Sequence, residues 1–130
     1  MIYKEFYDNY IINSEKKEFF EMNKLKYNSV YSNALDICSA FNKDDLIELA
    51  KSWKEDEESD DFISGPIFSL KLFDLLKNLH SDVLKGIYFS ETITTLDELF
   101  VVFYYESAFR DYLISHEYVK NVKLPDVVML

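Results

Sequence analysis

Apolar residues recur every three or four positions along most of the chain, which is the spacing of a helix that buries one face. The segment from Ile2 to Ile12 has this spacing. The clearest case follows it, and its apolar positions are Tyr27, Val30, Tyr31, Ala34, Cys38 and Phe41. The pattern predicts a helix over each segment, with Cys38 in the core.

Residues suited to helix starts divide the rest of the chain. Asn42 can cap a helix whose first turn contains Asp45, where an acid meets the positive end of the helix dipole. Pro66 suits the first position of another helix. Thr95 and Glu98 have the spacing of a capping box. We therefore expect three further helices after the first two.

The chain contains only two glycines and two prolines, too few for the turns of many short strands. We predict a mostly α protein, a compact helical bundle that forms a single acidic globular domain over residues 1–130. The secondary structure of one region is not decided by the sequence, which fits either a helix or a strand there. Within residues 86–105, the β-branched and aromatic side chains also suit one short β element.

Cysteine use and hydropathy bear on the compartment. Cys38 is the only cysteine, which excludes an intrachain disulfide and favours a reducing environment. The first residues lack the basic segment and apolar run of a signal peptide, and no apolar run is long enough for a transmembrane helix. We expect a cytoplasmic protein that does not bind membranes. Its single tryptophan, Trp53, is expected to lie in the core.

The charge balance indicates the kind of partner. The chain has 24 acidic and 14 basic residues, a net charge of −10, and its only arginine is Arg110. Such a field repels phosphates and attracts cationic surfaces, so we expect a basic partner and no direct contact with nucleic acid. The residues predicted to form the attracting surface are Asp44, Asp45, Glu48, Glu55, Asp56, Glu57, Glu58, Asp60 and Asp61.

The sequence offers no metal or cofactor site. Two separated glycines cannot form a phosphate-binding loop. Cys38, His80 and His116 lack the paired spacing of zinc ligands. The acidic run 55–61 lacks the central glycine and terminal glutamate of a calcium loop. We expect no cofactor, no bound metal and no enzymatic activity.

One short segment nevertheless has a catalytic pattern. Arg110, followed by a polar residue, a short spacer and His116, resembles the motif of HEPN ribonuclease domains, and Tyr118 matches the His-x-Tyr extension of one toxin branch. The resemblance implies an all-helical ribonuclease toxin in which Arg110 orients the phosphate and His116 transfers protons. The competing interpretation places Arg110 in an ion pair with Asp111 or Glu106 on a helix surface.

In size, charge and lack of catalytic groups, the chain resembles bacterial toxin-immunity proteins, including those of contact-dependent growth inhibition. No motif carries this resemblance. It implies a cytoplasmic antitoxin that binds a cognate basic toxin domain, such as a nuclease, through an acidic surface and neutralises it. A phage anti-CRISPR protein or nucleic-acid mimic is the other inhibitor that fits, because a row of carboxylates can imitate phosphates.

Overall fold

The computed structural model describes residues 2–58, 66–79 and 95–120. In these ranges the chain forms five helices and no strand. The helices are α1 (Ile2–Ile12), α2 (Lys17–Ala40), α3 (Lys43–Glu58), α4 (Pro66–Leu79) and α5 (Leu96–Ser115). The predicted mostly α bundle is confirmed. Residues 96–105 are helical, while 86–94, the other part of the region left open, lie outside the described residues.

The predicted helix starts have the expected local chemistry. The Asn42 side-chain oxygen accepts from the Asp45 amide at 2.8 Å, and the Thr95 hydroxyl accepts from the Glu98 amide at 3.1 Å. Pro66 occupies the first position of α4, where its missing N–H costs nothing. These caps satisfy amides that have no partner inside their own helix.

α5 is the central helix, packed against both α1 and α2. From Tyr104 to Asp111 every residue of α5 is buried, polar side chains included. A helix buried on all sides has no simple apolar stripe, which is why its sequence suits a strand equally well. α3 packs mainly against α4, so these two helices form a hairpin beside the α1–α2–α5 unit.

Aromatic rings fill the core between α2 and α5. The rings of Tyr27 and Tyr104 stack with their centroids 5.6 Å apart, and Phe100 meets Tyr27 edge-on at 5.4 Å. Two of these buried tyrosines place their hydroxyls on carboxylates: Tyr27 donates to Asp97 at 2.8 Å, and Tyr104 donates to Asp8 at 2.6 Å. Cys38 and Trp53 are also fully buried, as predicted.

None of the helices in the described ranges is long and apolar enough to cross a bilayer.

Candidate functional site

The outer face of α3 carries a stripe of exposed acids. Asp44, Glu48, Glu55 and Glu58 are all exposed, and their spacing of four, seven and three residues places them on one side of the helix. The buried Leu49 and Trp53 lie on the opposite side. At 1.5 Å per residue, the stripe is roughly 21 Å long. We call these four residues the acidic stripe.

Positive charge is present along only part of the acidic stripe. Glu48 lies 3.8 Å from Lys51 on α3 and 3.9 Å from Lys71 on α4. Both contacts are long and largely exposed to water, so they contribute little to stability. The last turn of α3 contains no basic residue, whereas Glu55, Glu57 and Glu58 lie there or beside it. The negative charge is therefore concentrated at the C-terminal end of α3.

Acids at the C-terminal end of α3 are unfavourable for the helix itself. The C-terminus of a helix bears the negative end of its dipole, so each acid there costs about 0.3–1 kcal/mol at low salt. Glu55 and Glu58 also repel each other at a spacing of three residues. A local conflict without a structural gain is typical of a functional surface, where binding matters more than stability.

Asp56 does not belong to this surface, which corrects the sequence prediction. Its side chain is fully buried, and its two oxygens accept from the backbone amides of Ile67 at 3.0 Å and Phe68 at 2.9 Å. Asp56 therefore caps the first turn of α4. The sequence does not reveal this role, because the hairpin that brings residue 56 to residue 67 is a tertiary feature.

The other predicted acids differ in exposure. Asp45 and Glu57 are half-buried, and the Asp45 backbone amide donates to Asn42. Asp60 and Asp61 lie outside the described residues. The structure thus brings four of the predicted acids into one exposed line.

Arg110 lies in the core rather than on a helix surface. It is 5% exposed, and its guanidinium carbon is 4.0 Å from the centre of the Phe68 ring, 4.9 Å from Trp53 and 5.0 Å from Tyr3. These rings belong to α4, α3 and α1, so the cation joins the hairpin to the rest of the bundle. Cation–π contacts of this kind are strongest where water is excluded.

Asp111, the neighbour of Arg110 in sequence, points towards α1 and has a role that sequence reasoning missed. Its carboxylate accepts from the backbone amides of Tyr3 at 2.7 Å and Lys4 at 3.3 Å, and from the Tyr31 hydroxyl at 2.8 Å. It therefore caps α1 and ties α2 and α5 to that cap. Burial, and then the Asp111 charge, raise the pKa of Tyr31 above its ordinary value.

His116 is exposed immediately after α5. Its ring stacks on Tyr112 at 3.8 Å, and its Nδ1 lies 3.0 Å from the Tyr112 carbonyl oxygen and 3.1 Å from the Ser115 hydroxyl. Tyr118 is half-buried beside the core. The pattern that resembles the HEPN motif thus has its arginine in the core and its histidine on the surface.

The described ranges contain no group of three or more His, Cys, Asp or Glu side chains placed to hold a metal ion. Burial raises the pKa of the Cys38 thiol far above its ordinary value, so this thiol is held in its unreactive form.

Comparison of the chain with protein-family models, with curated proteins and with solved structures finds no match.

Proposed function

We propose that this protein is a cytoplasmic immunity protein that binds a basic toxin domain, most simply a nuclease, and blocks its active cleft. The observation that carries the proposal is the C-terminal end of α3, where exposed acids are kept against the helix dipole and no basic residue occupies the last turn. A basic partner would relieve this conflict in the complex.

Electrostatic capture is the mechanism that this surface supports. The net charge of −10 attracts a basic domain over long range, and the acidic stripe gives that attraction a direction. Opposite fields of this kind raise association rates by roughly 10 to 1000-fold at low salt. A fast association matters for an antitoxin because its target damages the cell while unbound.

A function as a HEPN-like ribonuclease has less support. An arginine that stabilises a phosphate must reach solvent, whereas Arg110 is 5% exposed and surrounded by three aromatic rings. The nucleic-acid mimic also has less support, because Lys51 lies within the acidic stripe and interrupts a phosphate-like row. An inhibitor that recognises a protein surface tolerates such an interruption.

A growth assay separates the inhibitor from the enzyme. The protein is expressed alone, as wild type and as His116→Ala, and is also used to capture partners from its source strain. We expect neither form to slow growth, and we expect the captured partner to be a basic domain whose toxicity disappears on co-expression. Slow growth that His116→Ala relieves would contradict the proposal and make His116 a catalytic candidate.

A further inference from the structure

The outer face of α2 exposes two large apolar side chains. Met22 is 82% exposed and Leu25 is 84% exposed, and they lie three residues apart on the same side of the helix. Single exposed apolar residues are ordinary, whereas two neighbouring ones form a small patch. The patch belongs to a continuous line of exposed positions, which we call the α2 stripe. Its members are Glu18, Met22, Leu25, Ser29, Ser32 and Asp36.

The α2 stripe has the spacing of a helix–helix contact. Its members follow one another at alternating steps of four and three residues, the spacing with which one helix packs along another. The opposite side of α2 is buried in the core of its own molecule through residues such as Tyr27, Tyr31 and Cys38. α2 therefore has one face for its own core and a second face suited to a further helix.

The charge around the exposed patch is balanced. Residues 17–29 contain three lysines and two glutamates, which leaves one positive charge, whereas α3 contains seven acids and three lysines. A basic partner is thus drawn to α3 rather than to α2. A surface that binds a copy of itself across a two-fold axis must complement itself, and a face with charges of both signs meets this requirement.

We propose that the α2 stripe binds the α2 stripe of a second copy of this chain, with the two helices antiparallel and crossing between positions 22 and 25. Met22 of each copy then packs on Leu25 of the other. A parallel pair would instead place Glu18 against Glu18 and Asp36 against Asp36, and like charges that face each other are destabilising. The antiparallel pair avoids both conflicts.

The antiparallel pair also gives Glu18 a positive neighbour. Glu18 lies opposite Ser29 of the second copy, and Lys26 precedes Ser29 by about one helical turn. Lys26 already pairs with Asp97 at 2.7 Å, but its side chain is 52% exposed and an ammonium has three donors. Lys26 can therefore bind Glu18 of the second copy while it keeps Asp97.

The contact area and the net charge set the strength of this dimer. Stable interfaces bury about 1,200–2,000 Å² in total, and one helix face from each copy offers less. Both copies carry a net charge of −10, so their long-range fields repel each other. We expect a weak dimer that added salt strengthens, because salt screens repulsion between distant charges. The dimer goes beyond the proposed function and uses a different helix from the acidic stripe.

Sedimentation velocity of the full chain over a concentration series tests the interface. We expect the average mass to rise from one chain towards two, and Met22→Gln with Leu25→Gln to abolish the rise while circular dichroism shows an unchanged fold. Leu70→Gln is the control, because Leu70 is 67% exposed on α4. A single chain at every concentration, or equal loss in the control, would overturn the proposal. Weakening by salt would also overturn it, because oppositely charged faces would then be joining instead.

Cross-linking tests the direction of the helices. Met22→Cys and Leu25→Cys are prepared as separate proteins, mixed in equal amounts and oxidised, and the native Cys38 is fully buried and does not compete. We expect disulfides that join position 22 of one copy to position 25 of the other to form faster than disulfides between identical positions. Faster joining of identical positions would contradict the antiparallel pair.

Discussion

Two buried aspartates cap helices to which they do not belong and from which they are separated in sequence. Asn42 and Thr95 cap their own helices across three residues, so their roles are readable from the sequence. Asp56 caps α4 from 11 and 12 residues away, and Asp111 caps α1 from 107 and 108 residues away. Such roles depend on packing and could not be predicted from local pattern. Acid content alone therefore overstates the charge available at the surface.

Removing the Asp111 carboxylate tests this role. Asp111→Ala would leave the buried Tyr3 amide, the part-buried Lys4 amide and the buried Tyr31 hydroxyl without their acceptor. Each lost bond to a charged acceptor costs about 1.5–3 kcal/mol, so we expect the free energy of unfolding to fall by roughly 3 kcal/mol or more. Urea denaturation measures this loss. A loss below about 1 kcal/mol would show that water replaces the carboxylate, and Asp36→Ala, at an exposed site on α2, is the control.

At the scale of elements, periodicity predicted the helices that have one buried face and was ambiguous for α5, which is buried all round. Packing between helices also explains where the Arg110 side chain lies. Its sequence neighbours suggested a surface ion pair, yet its guanidinium contacts rings from three other helices. No local signal identifies such a contact, since Tyr3, Trp53 and Phe68 come from separate segments.

The end of α3 should be less stable than its sequence could make it. Glu55→Gln with Glu58→Gln removes two charges from the negative end of the helix dipole, so we expect stability to rise by about 0.5–2 kcal/mol. Glu5→Gln with Glu18→Gln removes acids from the first turns of α1 and α2 and should lower stability by a similar amount. Thermal unfolding at low salt compares the pairs. Destabilisation by the α3 pair would mean that these acids have a structural role.

At the scale of the whole molecule, the tyrosine–carboxylate contacts set the alkaline limit of the fold. Burial first, and then a neighbouring carboxylate, raise the pKa values of Tyr27, Tyr31 and Tyr104. A phenol with a raised folded-state pKa contributes stability that is complete below the unfolded value of about 10 and is lost as the pH rises above it. We therefore expect unfolding and the ionisation of these tyrosines to coincide above about pH 10.

Tyrosinate absorbance and circular dichroism, recorded together in an alkaline titration, check this expectation. Tyr104→Phe is a useful variant, because it removes one ionisable group while keeping the stacked ring. Its free energy of unfolding should be lower near neutral pH, because the hydrogen bond to Asp8 is lost, and should fall less steeply than that of the wild type above about pH 10. Ionisation of all tyrosines near pH 10 with the helices intact would contradict the assignment.

The proposed function depends on the position of the acids on the outer face of α3 rather than on the net charge of the protein. One variant neutralises the acidic stripe through Asp44→Asn, Glu48→Gln, Glu55→Gln and Glu58→Gln. Its control neutralises exposed acids elsewhere through Glu15→Gln, Glu18→Gln, Glu21→Gln and Asp36→Asn. Both variants change the net charge from −10 to −6, since four carboxylates are lost in each.

The most direct test measures the association rate of both variants with the captured basic domain as salt is varied. We expect the stripe variant to associate about tenfold more slowly at low salt, with a flatter salt dependence, and the control to stay within about twofold of wild type. Equal slowing of both variants, or of neither, would contradict a binding role for the outer face of α3.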